Sequence, residues 1–530
     1  MRVEAVTAPS APATRAPQAP ALTRRASLNA VQALLDYGGK LLVGFVVTPL
    51  LVTGLGASLY GVWEILSRLI GYITAADARP TEALRLVIAT RQGLNDPAGD
   101  RRAVGSALVV WLIFLPLVIA VGAALVWLAP LITKVDGAAR PAVQLATALL
   151  VATFLLGALA AVPESVLRGM NLGYKRMGLQ AGLSLAGGAL MVLAVRRGLG
   201  IPGLALSQLI LGGLTGACFW LLARRYVSWF GVASPSRPEV RALLGISGWL
   251  AGGELIAKVS LASDVLILGA VVSSSVVTTY VLTGYASRLA LGLHFLVVGS
   301  AMPGLGGVLG ERQFARAAQI RRELLALTWL FSIVIGATIL LWNRSFLALW
   351  VGSGGGSQPY AGSWVNLLIV LLTIQTALLR SDAYLLDAAL QPRARVIISA
   401  IAGVLALGIG LALTPALGMA GVCLGLLAGR AVQSIAYPVL VGRSLRLGAR
   451  PHWQSLVRPI VASVLVLGAA VLVSDRLVAP NWIAWVAFVA ASVALLVPLT
   501  LAVGLPAPDR QRVVSRVREI WRGVGGFRRG

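Results

Sequence analysis

Asp36 and Lys40 stand four residues apart in the first long apolar stretch of the chain, and Glu254 and Lys258 repeat that acid-then-base order 218 residues later. Four residues is about one helical turn, so each pair shares a helix face. Glu64 and Arg68 form a third pair of the same spacing, while Arg288 stands in apolar sequence with no acid one turn before it. A charge in such surroundings costs about 2.5–3.5 kcal/mol to insert in a bilayer, so it is kept where it is paired or faces a wet cavity. Two chemistries fit these residues. Lys40, Arg68, Lys258 and Arg288 suit an anion, because arginine offers parallel N–H donors to phosphate oxygens and lysine a point charge. Asp36, Glu64, Glu254 and Asp264 suit a proton or a sodium ion. The plainer reading of the same spacing is that each pair neutralises itself and staples helices together. His294, beyond Arg288, reads as a packed histidine.

The elements that must position these charges are membrane helices. The chain is 58% hydrophobic and 12% charged, with mean hydropathy +0.86, whereas soluble proteins carry about 25% charged residues. Many apolar stretches exceed the 18 or so residues that cross a bilayer as a helix, and the alternation of a barrel strand is missing. The expected fold is an all-α polytopic membrane protein with about fourteen transmembrane helices.

Their order repeats. Tyr60 with Ser67-Arg68-Leu69 matches Tyr280 with Ser287-Arg288-Leu289. The segment 167–176 (LRGMNLGYKR) matches 386–395 (LDAALQPRAR), and Gly200-x-x-Gly203 matches Gly418-x-x-Gly421. Echoes in one order at a nearly constant offset indicate an internal repeat. The expected organisation is a disordered cytoplasmic tail at 1–26, a first six-helix lobe at 27–225 and a second at 241–441. Two appended helices follow at 458–505, then a basic amphipathic tail at 506–530. An even number of spans per unit gives both lobes one orientation, with a midplane cavity between them.

Charge asymmetry sets the direction. With a cytoplasmic N-terminus, the inner segments hold 33 Lys and Arg against 6 in the outer loops, so both termini are expected in the cytoplasm. The net charge of +26 then reflects topology and anionic lipid headgroups, and nucleic acid is not expected as a partner. The only cysteines, Cys218 and Cys423, lie in different halves and read as packing residues. No G-x-x-x-x-G-K-[ST] motif and no metal-ligand cluster occurs, so no cofactor is expected and any driving energy comes from an ion gradient or the membrane potential.

The segment 48–61 (TPLLVTGLGASLYG), the helix end Leu167-Arg168-Gly169 and the turn Gly200-Ile201-Pro202-Gly203 resemble the polysaccharide flippases of the MOP (MATE-like) exporter superfamily. The resemblance covers about residues 27–505. It implies alternating access in a bacterial cytoplasmic membrane, and a polyprenyl-pyrophosphate-linked glycan as substrate. It further implies membrane lipids and polysaccharide polymerase or export machinery as partners. In the related lipid II flippase, basic residues of the first, second and eighth spans line the cavity, which carries that role to Lys40, Arg68 and Arg288. Lys40 departs from the arginine of that relative. A multidrug exporter of the same fold and a membrane enzyme acting on a polyprenyl-linked sugar are the alternatives. The first predicts an acidic or aromatic cavity, and the second needs acids or bases in the outer loops.

Overall fold

The computed structural model describes residues 19–77, 79–91, 96–176, 178–300, 302–352, 359–388, 392–446, 453–507, 509–512 and 515. Most of the expected tails at 1–26 and 506–530 lies outside them, as does most of the glycine-rich run at 352–357. Helix begins at Ala19, inside the segment expected as a tail.

Helices α1 (Ala19–Ala76), α2 (Pro80–Arg91), α3 (Pro97–Ile132), α4 (Arg140–Gly169), α5 (Leu179–Arg196) and α6 (Gly200–Tyr226) make up the first half. The second half holds α7 (Arg237–Val271), α8 (Ser274–Thr283), α9 (Tyr285–Ser300), α10 (Met302–Gly310), α11 (Phe314–Val351), α12 (Ser363–Ala388), α13 (Pro392–Leu417) and α14 (Met419–Ser444). Finally come α15 (Trp453–Ser474) and α16 (Trp482–Gly504). Among the described residues, eleven helices are long and apolar enough to cross a membrane, or twelve if the bent pair α8–α9 counts as one span.

The first of these covers Leu35–Ile73, 39 residues. At about 1.5 Å per residue it is nearly twice the thickness of a bilayer core. Gly56 breaks it near the middle, with φ 78° and ψ 164°, a conformation open essentially to glycine alone. The chain reverses there. Tyr37, before the break, donates to the Leu289 carbonyl (3.1 Å), and Tyr72, after it, donates to the Lys258 carbonyl (3.2 Å). The two arms of α1 therefore descend together, one beside α9 and the other beside α7.

Packing repeats as well. In the first half α4 lies on α6 and α5 on α1; in the second α12 lies on α14 and α13 on α7. The repeated glycine turns match in geometry: Gly200 has φ 56° and Gly418 φ 55°. A Cβ on Gly203 would come within 2.4 Å of the Leu199 side chain, and one on Gly421 within 2.6 Å of the Leu413 backbone. Each hairpin thus closes over a glycine where another side chain would not fit. Helices α15 and α16 both pack on α11.

One expected span is not straight. Residues 276–299 read as a single helix, but the structure bends by 51° between α8 and α9. Gly284 stands at the break, and the Val281 carbonyl there accepts from Arg288 Nη2. The arginine supplies a donor where the helix ladder is interrupted.

Candidate functional site

The bend places the charges. Lys40 lies 16 residues and Arg68 12 residues from the Gly56 break, and Lys258 and Arg288 lie at similar distances from the α7–α8 turn. At about 1.5 Å per residue the four predicted cations sit within roughly 6 Å of one another in depth. Sharing a depth does not give them one role. Arg68 faces Glu64 at 4.0 Å, and Glu64 Oε1 accepts from Tyr60 (3.0 Å). Lys258 Nζ is 3.7 Å from the position a Cβ would take on Gly71, so it lies in the α1–α7 contact. Arg288 braces the bend and lies in electrostatic range of Tyr60, Tyr280 and Tyr285.

Lys40 alone of the four lines the large cavity. That cavity has a volume of about 580 Å³ and lies at the end of the bundle where α1, α2, α4, α9 and the turn Gly173–Arg176 meet. Its cationic lining is Lys40, Arg85, Arg168 and Arg176; Asp36 is the carboxylate, and Tyr37 and Phe295 add aromatic surface. The expected Asp36–Lys40 ion pair does not form. Asp36 Oδ2 accepts from Gln32 (3.0 Å), Oδ1 is buried without a partner, and Lys40 is exposed with no hydrogen bond or ion pair among the described residues.

Arg85, Arg168 and Arg176 escaped the sequence reading because they stand in loop-flanking sequence, where positive charge is explained by topology. The nearby acids Glu82 and Glu164 were the available signal. Arg85 Nε donates to Glu82 (2.8 Å), Arg176 Nη1 pairs with Glu164, and Arg168 Nη1 stands 3.8 Å from both carboxylates.

The acids divide too. Asp264 Oδ2 accepts from Tyr280 (2.9 Å) and Oδ1 from the Val265 amide (2.8 Å). Arg430, buried on α14, interacts electrostatically with Asp264 and donates to Thr376 Oγ1 (2.8 Å). The side chain of Glu254 lies outside the described residues. His294 is packed: it is buried, its Nε2 lies 3.3 Å from the Ala377 carbonyl, and its ring stacks on Phe331.

The opposite end is shut. Thr278 Oγ1 donates to the Ala57 carbonyl (2.5 Å), Ser58 and Ser274 hydroxyls meet at 3.2 Å, and Lys134 Nζ donates to the Val271 carbonyl (3.0 Å). Phe45, Tyr285, Phe346, Trp350, Trp482 and Trp485 stack into one cluster beside them.

The molecule is a helical bundle of membrane-spanning length, with one end sealed and a charged cavity at the other. The fold is shared with solved structures of MATE family transporters and of the lipid II flippase MurJ. No family model and no curated protein matches the chain. Among solved structures, the lipid II flippase MurJ in an inward closed conformation matches with TM-score 0.68 and 11% identity, over 88% of this chain and 97% of that one. A multidrug resistance MATE family transporter in an inward-facing conformation matches with TM-score 0.66 and 16% identity, over 77% and 94%. An outward-facing MATE structure matches less well, with TM-score 0.53 and 16% identity, over 80% and 96%.

Proposed function

We propose that this protein carries an anionic, lipid-linked glycan across the bacterial cytoplasmic membrane by alternating access, its lobes rocking about the seam that α1 forms with α7 and α9. The observation that carries this reading is the cavity lining, in which four cations face one carboxylate and a net positive charge remains even with Glu82 and Glu164 counted behind them. Such a lining attracts diphosphate and repels organic cations. On this reading the cavity faces the cytoplasm and both termini lie there. The chain makes fourteen crossings, since the Gly56 break divides the first long helix in two and α7 crosses despite its charges. Lys40 meets the headgroup in this conformation, while Arg68, Lys258 and Arg288 line its path as the lobes part. Asp36, with a buried oxygen lacking a partner, is the best placed of the acids to couple an ion; Glu64, Glu254 and Asp264 are the others.

The likeness to MATE transporters favours a second reading, a multidrug exporter. Transport by purified protein in proteoliposomes separates the two. Movement of a fluorescent polyprenyl-diphosphate sugar, with none of a cationic dye, supports the first; the reverse result rejects it. In cells, loss of the protein is expected to leave one lipid-linked glycan in the inner leaflet.

A further inference from the structure

Arg168 differs from the arginines on either side of it. The carboxylates of Glu82 and Glu164 hydrogen-bond Arg85 and Arg176 respectively. Each leaves Arg168 Nη1 at 3.8 Å, beyond hydrogen-bond reach but close enough to hold it by charge. The Arg168 side chain donates no hydrogen bond among the described residues, is 43% exposed, and lines the cavity. Lys40, also without a partner among the described residues, lines the same space. A guanidinium steered from two sides, with its donors unused and open to a wet cavity, is prepared for an incoming anion.

We propose that Arg168 grips the phosphate oxygens of the transported headgroup at the mouth of the cavity, with Glu82 and Glu164 as the positioning residues that aim it. The proposal rests on the cationic-cavity reading above and names its anchor. A planar fork binds two phosphate oxygens at once, which the point charge of a lysine cannot do. Arg85 and Arg176 add positive field, but their donors already serve the two carboxylates. The same chemistry would hold the phosphate of a bulk phospholipid, so the test must tell the two sources apart.

Full-length protein in phosphatidylcholine nanodiscs is titrated with polyprenyl diphosphate, with inorganic pyrophosphate as competitor and phosphatidylglycerol as a second ligand. R168K, which keeps the charge and the fold but loses the fork, is expected to weaken diphosphate binding about tenfold. E164Q is expected to weaken binding alone and to add nothing in the R168K background, the signature of a residue acting through Arg168. Pyrophosphate should compete and phosphatidylglycerol should not. Wild-type affinity in both R168K and R168A, with K40A impaired, overturns this proposal and leaves the cavity reading standing. Unchanged binding in all three overturns the cavity reading itself. Equal saturation by phosphatidylglycerol assigns Arg168 to the bilayer and also overturns the proposal.

Discussion

The indole N–H of Trp350 donates to the main-chain carbonyl of Phe45 across 2.6 Å, joining residues 305 positions apart. Sequence explains why that carbonyl is available. Its helical partner would be the amide four residues on, and that residue is Pro49, which has no N–H. The Phe45 ring stacks on the same indole, with centroids 5.7 Å apart. The two halves of the molecule are therefore latched at the closed end by a donor that replaces a missing helix bond.

Removing the donor should loosen that end. Trp350→Phe keeps a ring but leaves the part-buried Phe45 carbonyl unpaired, at a cost of about 1 kcal/mol. In a background lacking Cys218 and Cys423, labelling of Val52→Cys from the outside should rise roughly tenfold or more. Pro49→Ala restores the amide and should make Trp350→Phe nearly silent. If the double variant labels as fast as Trp350→Phe alone, the latch is not what closes this end.

Gly61 tests the closure from the other arm of α1. A Cβ there would lie 1.8 Å from the Ser274 carbonyl oxygen and 3.0 Å from Thr278 Oγ1. Gly61→Ala must push α8 away and break the Thr278–Ala57 hydrogen bond. The expected result is a lower melting temperature, a few degrees below wild type, with faster outside labelling. Unchanged labelling would show that the contact is loose in the membrane.

Arg288 can brace the bend, contact substrate, or do both, and glutamine separates these roles. Arg288→Gln retains an N–H donor for the Val281 carbonyl but carries no charge. If charge matters, Arg288→Gln and Arg68→Ala should abolish export at normal protein levels. Full complementation by both would remove these two residues from the transport path.

Asp77, just beyond the Leu35–Ile73 span, gives the stability a pH slope. Burial raises its carboxyl from 3.8 to about 7, against the lowering effect of Arg79. The folded state thus keeps a proton that the unfolded chain has released. Stability is greatest below the ordinary carboxyl range, falls as pH rises from about 4 to about 7, and is flat above that. Melting temperatures between pH 5 and pH 8 should show this decline in the wild type and lose it in Asp77→Asn.

Half-buried Asp264 and buried Arg430 lie within electrostatic range of each other and are expected to be coupled. Removing either charge alone takes away a favourable longer-range attraction, at a cost of roughly 1–2 kcal/mol. The double variant Asp264→Asn with Arg430→Gln should recover most of that loss. Additive losses in thermal unfolding would show that the two charges are independent.

Fold class was legible in the sequence because spans are set by length and hydropathy, and the repeat because its turns need glycine at matching places. Gly200 and Gly418 adopt nearly the same φ for that reason. The site was less legible. Acid–base spacing marks a shared helix face, but it does not decide whether a neighbour such as Gln32 takes the carboxylate first, as happens at Asp36. Arg168 looked like one topology charge among many, and only the positions of Glu82 and Glu164 around it set it apart. Arg288 looked free because the backbone acceptor at the bend is invisible to a pattern of side chains.

Helix α16 runs along α11: the Trp342 indole donates to Ser492 Oγ (2.8 Å), and Gly504 packs flat against Trp329. It packs on the second half, yet Trp482 reaches the Phe45 ring of the first, with centroids 5.9 Å apart. A twofold molecule would offer its passenger two equivalent doors, one where α1 meets α9 and one where it meets α7. Trp482 stands at the outer jamb of the first and has no counterpart at the second among the described residues. If the passenger is a lipid-linked glycan, as proposed, its trailing chain is expected to leave by the side that Trp482 does not guard, a direction set by the two helices the repeat does not account for.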